Sequence, residues 1–145
     1  MTTVGQILRT KGNDIWSIGS EATVFEALHL LAEKNIGAIL VIDEDKLVGI
    51  FSERDYARSV IRTQKSAQEI HVKELMSSNV VTITPAKTIE ACMELMTAQR
   101  IRHLPVLDNG QVIGVISIGD AVKTLISKQQ HTIQELENYI TSGVT

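Results

Sequence analysis

Aromatic residues are almost missing from this chain of 145 residues: two Phe, two Tyr and one Trp make up 3% of it. Any core must therefore be built from Ile, Val, Leu, Ala and Met, which the 43% hydrophobic content permits. Cysteine occurs once, as Cys92, so an intrachain disulfide is excluded and a reducing compartment is expected. Long apolar runs are absent too, and none approaches the roughly 20 residues that span a bilayer. The opening Met-Thr-Thr-Val-Gly-Gln has neither the charged nor the apolar region of a secretory signal. A cytoplasmic protein without membrane contact is the expectation. Positive charge is also short: Lys and Arg number 14 against 17 Asp and Glu, a net charge of -3. With no basic run or basic face to neutralise phosphates, nucleic acid is not an expected partner. The histidines are not grouped with cysteine at metal-ligand spacing, and no metal site is expected.

What the chain does have is a duplication. Shifting it by 65 positions aligns residues 16–58 with 81–123 without a gap, and nine of those 43 positions are identical. They include Ile36 and Ile101, Asp43 and Asp108, Gly49 and Gly114, Ser52 and Ser117, and Asp55 and Asp120. In each copy apolar residues at i, i+3, i+4 and i+7 (Val24, Ala27, Leu28, Leu31; Ile89, Cys92, Met93, Met96) predict an amphipathic helix. Thr23 with Glu26 suggests a capping box at the first of them. Two short β-rich runs follow, 38–42 with 47–52 and 104–107 with 112–117, joined by turn residues. Asn109-Gly110 is the clearest hairpin signal. A second helix then starts at Asp55 or Asp120. Short strands are expected around 15–18 and 80–84. A short amphipathic segment precedes each copy, with Val4, Ile7 and Leu8 matched by Val72, Leu75 and Met76. Those pairs lie 68 apart, so the first copy carries three extra residues before position 15. A polar stretch, 63–69, joins the halves.

The repeated motif reads Gly-x-x-Ser-x-x-Asp, at Gly49, Ser52 and Asp55 and at Gly114, Ser117 and Asp120. An aspartate at the mouth of a helix can accept hydrogen bonds from a hydroxyl pair, and the helix N-terminus beside it can hold an anion. Serine followed three residues later by an acid is also a helix cap. One copy alone favours the capping reading; two at matched positions favour ligand binding, and both roles can hold together.

This paired motif resembles the cystathionine-β-synthase-type (CBS) domain family, as a stand-alone tandem pair covering about residues 3–127. The segment Arg100-Ile-Arg-His-Leu-Pro-Val106 resembles the opening of the family's second strand. The resemblance implies an α/β (α+β) fold: two strand-helix-strand-strand-helix repeats, 3–65 and 66–128, packed as a pseudo-twofold pair with sheets in the middle and helices outside. A helical extension over 129–145 would pack on the domain or across a dimer. It also implies a non-catalytic sensor of adenosine ligands (AMP, ADP, ATP, NAD(H) or S-adenosylmethionine), bound as a regulatory ligand in clefts between the repeats, and a homodimer. A separate target protein would then be regulated.

Carried over by residue, Asp55 and Asp120 would bind ribose hydroxyls, Ser52 and Ser117 would lie near ribose or phosphate, and Ile50 and Val115 would flank the ligand. Arg54 could reach a phosphate, whereas Gly119 offers a backbone N–H. One cleft would combine Asp55 with Val81, Ile101, Arg102, Gly37 and Ala38. The other would combine Asp120 with Trp16, Ile36, Gly37, Ala38, Arg102 and His103. Trp16 could stack on adenine or fill a junction, and His103 could be a ligand contact or a satisfied strand-end histidine. Lys11 precedes the three-residue difference and is assigned no role. Cys92, on a buried helix face, is a core residue. The alternatives are a ligand-independent interaction scaffold or a nucleotide-processing enzyme; against the latter, the sequence shows no P-loop, paired-carboxylate metal motif or nucleophile–base spacing.

Overall fold

The structure is a computed structural model and describes residues 2–143. The chain divides into two compact units, and their boundaries are not those of the sequence repeats. One unit is continuous, from Asp14 to Val81; the other joins the N-terminal residues through Asn13 to everything from Thr82 onward.

In the continuous unit, strand β1 (Ser17–Ile18) pairs in parallel with β2 (Ala38–Asp43), which pairs antiparallel with β3 (Lys46–Ser52). Helix α2 (Val24–Lys34) precedes β2, helix α3 (Glu53–Arg62) follows β3, and one turn, α4 (Val72–Leu75), completes the unit. Thr23 caps α2 by accepting the Glu26 N–H at 3.1 Å, but Glu26 does not reach back, so only half of the expected capping box forms. Asn35 ends α2 in the left-handed region (φ 54°), a conformation asparagine tolerates. Glu44 (φ 48°) and Asp45 (φ 64°) turn the hairpin with two positive φ angles, which matches the twist of the flanking strands. Val24, Ala27, Leu31, Ile39, Val41 and Phe51 form the core with Ile70 and Val72.

The second unit repeats this plan. Helix α5 (Ile89–Gln99) leads to an antiparallel hairpin of β4 (His103–Asp108) and β5 (Gln111–Ser117), turned at Asn109 (φ 53°) and Gly110 (φ 79°). His103 faces Ser117 as Ala38 faces Ser52, and both hairpins shift register just after their matched valines, Val41 and Val106. The strand expected over 80–84 shrinks to one parallel bridge, Ile83 to Val106. The N-terminal helix α1 (Val4–Lys11) belongs here, although its sequence lies in the first repeat. The Val4 and Gly5 N–H groups donate to the Lys87 and Pro85 carbonyls at 2.8 and 3.0 Å, and Ile89 N–H donates to Thr2. In the same way α4, from the second repeat, is tied to the first repeat's unit through Val72 N–H to Ala22 and Val24 N–H to Ile70. The two opening segments are exchanged.

The motif glycines make this exchange possible. A Cβ on Gly114 would lie 2.7 Å from Leu8 Cδ2, and one on Gly49 would lie 2.5 Å from Met76 Sδ and 3.0 Å from the Ser77 carbonyl. Leu8 and Met76 are the matched residues of the two amphipathic segments, so each hairpin is notched by a glycine to accept the other repeat's helix.

Two expectations are corrected. The second helices begin at Glu53 and Ile118, two residues before the aspartates, because the serines rather than the aspartates are the N-caps. The C-terminal segment is not a helix of its own: α6 runs unbroken from Ile118 to Gly143, and Ile133, Leu136 and Ile140 are 54 to 64% exposed, which leaves the other expected location, across a dimer.

Overpacking a notch costs about 1–3 kcal/mol. Gly49→Ala and Gly114→Ala should each destabilise by that amount in chemical denaturation. Gly49→Ala should cost more, since it also meets backbone while Leu8 can move.

Candidate functional site

Both copies of the motif form the same joint, where the hairpin's second strand passes into a helix. Ser52 ends β3 and caps α3: its Oγ accepts the Asp55 N–H at 3.2 Å, while Asp55 Oδ2 accepts the Ser52 N–H at 2.8 Å and the Ser52 hydroxyl at 2.9 Å. Ser117 and Asp120 repeat the reciprocal pair, Asp120 N–H to Ser117 Oγ at 3.1 Å and Ser117 N–H to Asp120 Oδ2 at 2.9 Å. In both, every protein hydrogen bond to the carboxylate falls on Oδ2, and Oδ1 has no partner among the described residues. One oxygen of each aspartate therefore builds the cap, and the other is open to accept.

The strand-opening residues complete the joints. The first helical amides, Glu53 N–H and Ile118 N–H, donate to the carbonyls of Gly37 (3.0 Å) and Arg102 (2.8 Å). Ala38 thereby stands across from Ser52, and His103 across from Ser117. Within each unit the structure thus brings Asp55 together with Ser52, Gly37 and Ala38, and Asp120 together with Ser117, Arg102 and His103. Ile36 and Trp16 share the unit of Asp55, as does Val81; Ile101 belongs to that of Asp120. Arg54 and Arg102 are exposed, as is Gly119, where an added Cβ would meet nothing nearer than Ser117 Oγ at 3.6 Å. The first turn of α6 is open above its backbone. The Trp16 ring, 38% exposed, has Lys34 Nζ over it at 4.3 Å from the centroid, so one face is already taken by a cation. Cys92 is buried, and burial pushes its thiol up to about 11, which leaves it inert as a nucleophile.

The two joints differ at the carbonyl two residues before each serine. The Ile50 carbonyl accepts the Ser77 N–H at 2.9 Å, whereas the matched Val115 carbonyl accepts Lys11 Nζ at 2.7 Å. The same ammonium lies 2.5 Å from Asp120 Oδ2. Sequence reasoning passed over Lys11 because it lies on the N-terminal side of the three-residue difference, where the two copies no longer align. The signal was available: Lys11 sits four residues after Ile7 and three after Leu8, on the flank of the face that α1 buries.

These charges are coupled. Partial burial pushes the Asp120 carboxyl up, but the Lys11 ammonium and the Ser117 N–H outweigh it and hold the group below the ordinary carboxylate range. His103 is lowered, first by burial and then by repulsion from Lys11, with Arg102 adding to it and Asp120 opposing. A neutral imidazole thus sits beside an ammonium and an ionised carboxylate.

The folded protein resists protonating His103, so the unfolded chain takes up that proton first as pH falls below about 6.5. Stability therefore declines on acidification through that window, and His103→Gln should flatten the decline between about pH 7.5 and 5.5 in thermal melts. Lys11→Met should raise the His103 pKa in an NMR titration, since its repulsion is gone. It should cost only about 0.5–1 kcal/mol of stability, as expected for a partly exposed ion pair.

The comparisons with known proteins agree with this architecture. The CBS domain pattern matches residues 4–62 and again 72–127. The CBS domain-containing protein CBSX3, mitochondrial, of Arabidopsis thaliana is 32% identical over 152 residues, which covers 98% of this chain and 73% of that one. A solved protein with CBS domains from Burkholderia ambifaria MC40-6 is 46% identical, with a TM-score of 0.85 over 88% of this chain and 96% of that one. The CBS domain pair of protein MJ0100, solved in complex with 5'-methylthioadenosine and S-adenosyl-L-methionine, is 26% identical, with a TM-score of 0.78 over 88% of this chain and 98% of that one. The duplicated joint, the exchanged helices and these matches together place the chain in the CBS domain family, as a pair of its repeats.

Proposed function

We propose that the chain is a cytoplasmic, non-catalytic sensor of adenosine-containing ligands, with Asp120 and Asp55 as its ribose-binding groups. The carrying observation is that each aspartate spends Oδ2 on the helix cap and leaves Oδ1 open. A carboxylate oxygen in that position suits the hydroxyls of a ribose, because bonds to an ionised acceptor are roughly twice as strong as neutral ones. The complex of protein MJ0100 with methylthioadenosine and S-adenosylmethionine supports the class of ligand.

The two sites are unequal. Beside Asp120 stand Lys11, His103 and Arg102, a set suited to a phosphate-bearing ligand such as AMP, ADP, ATP or NAD(H). Beside Asp55 the cations near in sequence are the exposed Arg54 and Arg58, and no ion pair to Asp55 forms among the described residues. S-Adenosylmethionine, itself a cation, fits the Asp55 side better than the Asp120 side. Output would follow from differential affinity for two states of the module, read by a target protein, since a ligand shifts an equilibrium only by that difference.

A thermal-shift panel of these five compounds should show stabilisation of about 2.7 kcal/mol by the cognate ligand at about 100 times its Kd. Asp120→Asn, which keeps a capping acceptor, should weaken phosphate-bearing ligands about 10- to 100-fold by calorimetry while the helix content is unchanged. A flat response to every adenosine compound would leave the scaffold reading in its place.

A further inference from the structure

Helix α6 outruns its own unit. From Ile126 to Ser142 every residue is exposed, about 25 Å of helix at 1.5 Å per residue with no side chain buried against the rest of the chain. Most helical stability in proteins comes from packing an amphipathic face, and this stretch has none packed within its own chain. Its apolar residues are not scattered: Val122, Ile126, Ile133, Leu136 and Ile140 are 41 to 64% exposed, and with Gln129 they alternate by four and three residues. That is a heptad seam, with isoleucine at every a position.

The rest of the helix surface shows which side lacks a partner. Away from the seam the polar residues satisfy one another: His131 Nε2 lies 2.9 Å from Glu135 Oε1, Gln134 donates to Asn138 at 3.1 Å, and Lys128 reaches Glu90 on α5 at 3.2 Å. The charges that flank the seam, Lys123 and Glu137, have no ion-pair or side-chain hydrogen-bond partner among the described residues. Charges in these flanking positions set the partner and orientation of paired helices.

We infer that α6 pairs antiparallel with α6 of a second copy of this chain. In that register Val122 meets the partner's Ile140, Ile126 meets the partner's Leu136, and Gln129 meets the partner's Ile133. The reverse contacts follow by the twofold axis, as a self-complementary interface requires. Lys123 then faces the partner's Glu137 at both ends of the seam. In a parallel pairing Lys123 would flank Ile118 and Glu137 would flank Thr132, so both charges would stay unpaired. The charge pattern selects the antiparallel arrangement, and the interface rests on α6 alone, independent of any ligand at the aspartates.

Sedimentation of the full chain, with helix content checked by circular dichroism, tests this. Ile133→Glu places a charge in the seam and should weaken self-association about 100-fold or more; Leu136→Glu should do the same. Lys123→Glu and Glu137→Lys should each weaken it about tenfold by turning two attractions into two repulsions, and the double reversal should restore it. Self-association unchanged by both Ile133→Glu and Leu136→Glu, a wild-type chain that stays monomeric at about 100 times the concentrations typical of specific dimers, or a double reversal no tighter than the single ones would overturn the proposal.

Discussion

Leu8 rests on the β4–β5 hairpin where position 114 carries no Cβ, and much else follows from that contact. It seats α1 on the sheet of the second repeat, far along the chain from its own. Seated there, α1 extends Lys11 to the Val115 carbonyl and to Asp120. The ammonium in turn holds the Asp120 carboxyl below its ordinary range and adds to the burial that lowers His103. A missing methyl group on one strand thus determines the electrostatics of a site several residues away. In the other unit Met76 fills the same notch at Gly49, yet no lysine follows it, because the residue matched to Lys11 is Asn79.

Each aspartate divides its two oxygens, capping a helix with one and leaving the other without a partner among the described residues. A carboxylate has two oxygens and about four lone-pair positions. The cap engages Oδ2 through two groups, Ser117 N–H and Lys11 in one unit, Ser52 N–H and the Ser52 hydroxyl in the other. These bonds hold the carboxylate in place, so in the proposed role a ligand would meet an acceptor already ordered, which lowers the cost of binding. The capping bonds of Ser-x-x-Asp use Oδ2 alone, so the proposed binding role of Oδ1 is compatible with them.

Most of the architecture was legible in the sequence because each repeat is locally consistent. Periodicity located α2 and α5, the turn residues located both hairpins, and the ungapped 65-residue offset carried over to strand registers that match position for position. Three things were not legible, each for a physical reason. Which unit an amphipathic segment joins depends on a fit between a leucine and a glycine more than 100 positions apart, which local pattern does not encode. The start of α6 was misplaced because Ser-x-x-Asp marks a cap whose helix begins one residue after the serine. Lys11 was lost together with α1, since its role exists only once that helix is seated.

The exchange of opening segments also gives the two units different histories on the ribosome. The unit from Asp14 to Val81 is one uninterrupted stretch, so all its contacts are available as soon as Val81 has emerged. The other unit is assembled from the two ends of the chain, and α1, synthesised first, has no sheet to rest on until β5 exists. The amphipathic face of α1 stays uncovered throughout that interval, and closing the unit requires a loop of about the whole continuous unit, the kind of non-local contact that slows folding. The helix that delivers Lys11 is made before either sheet and can be placed only once β5 is complete.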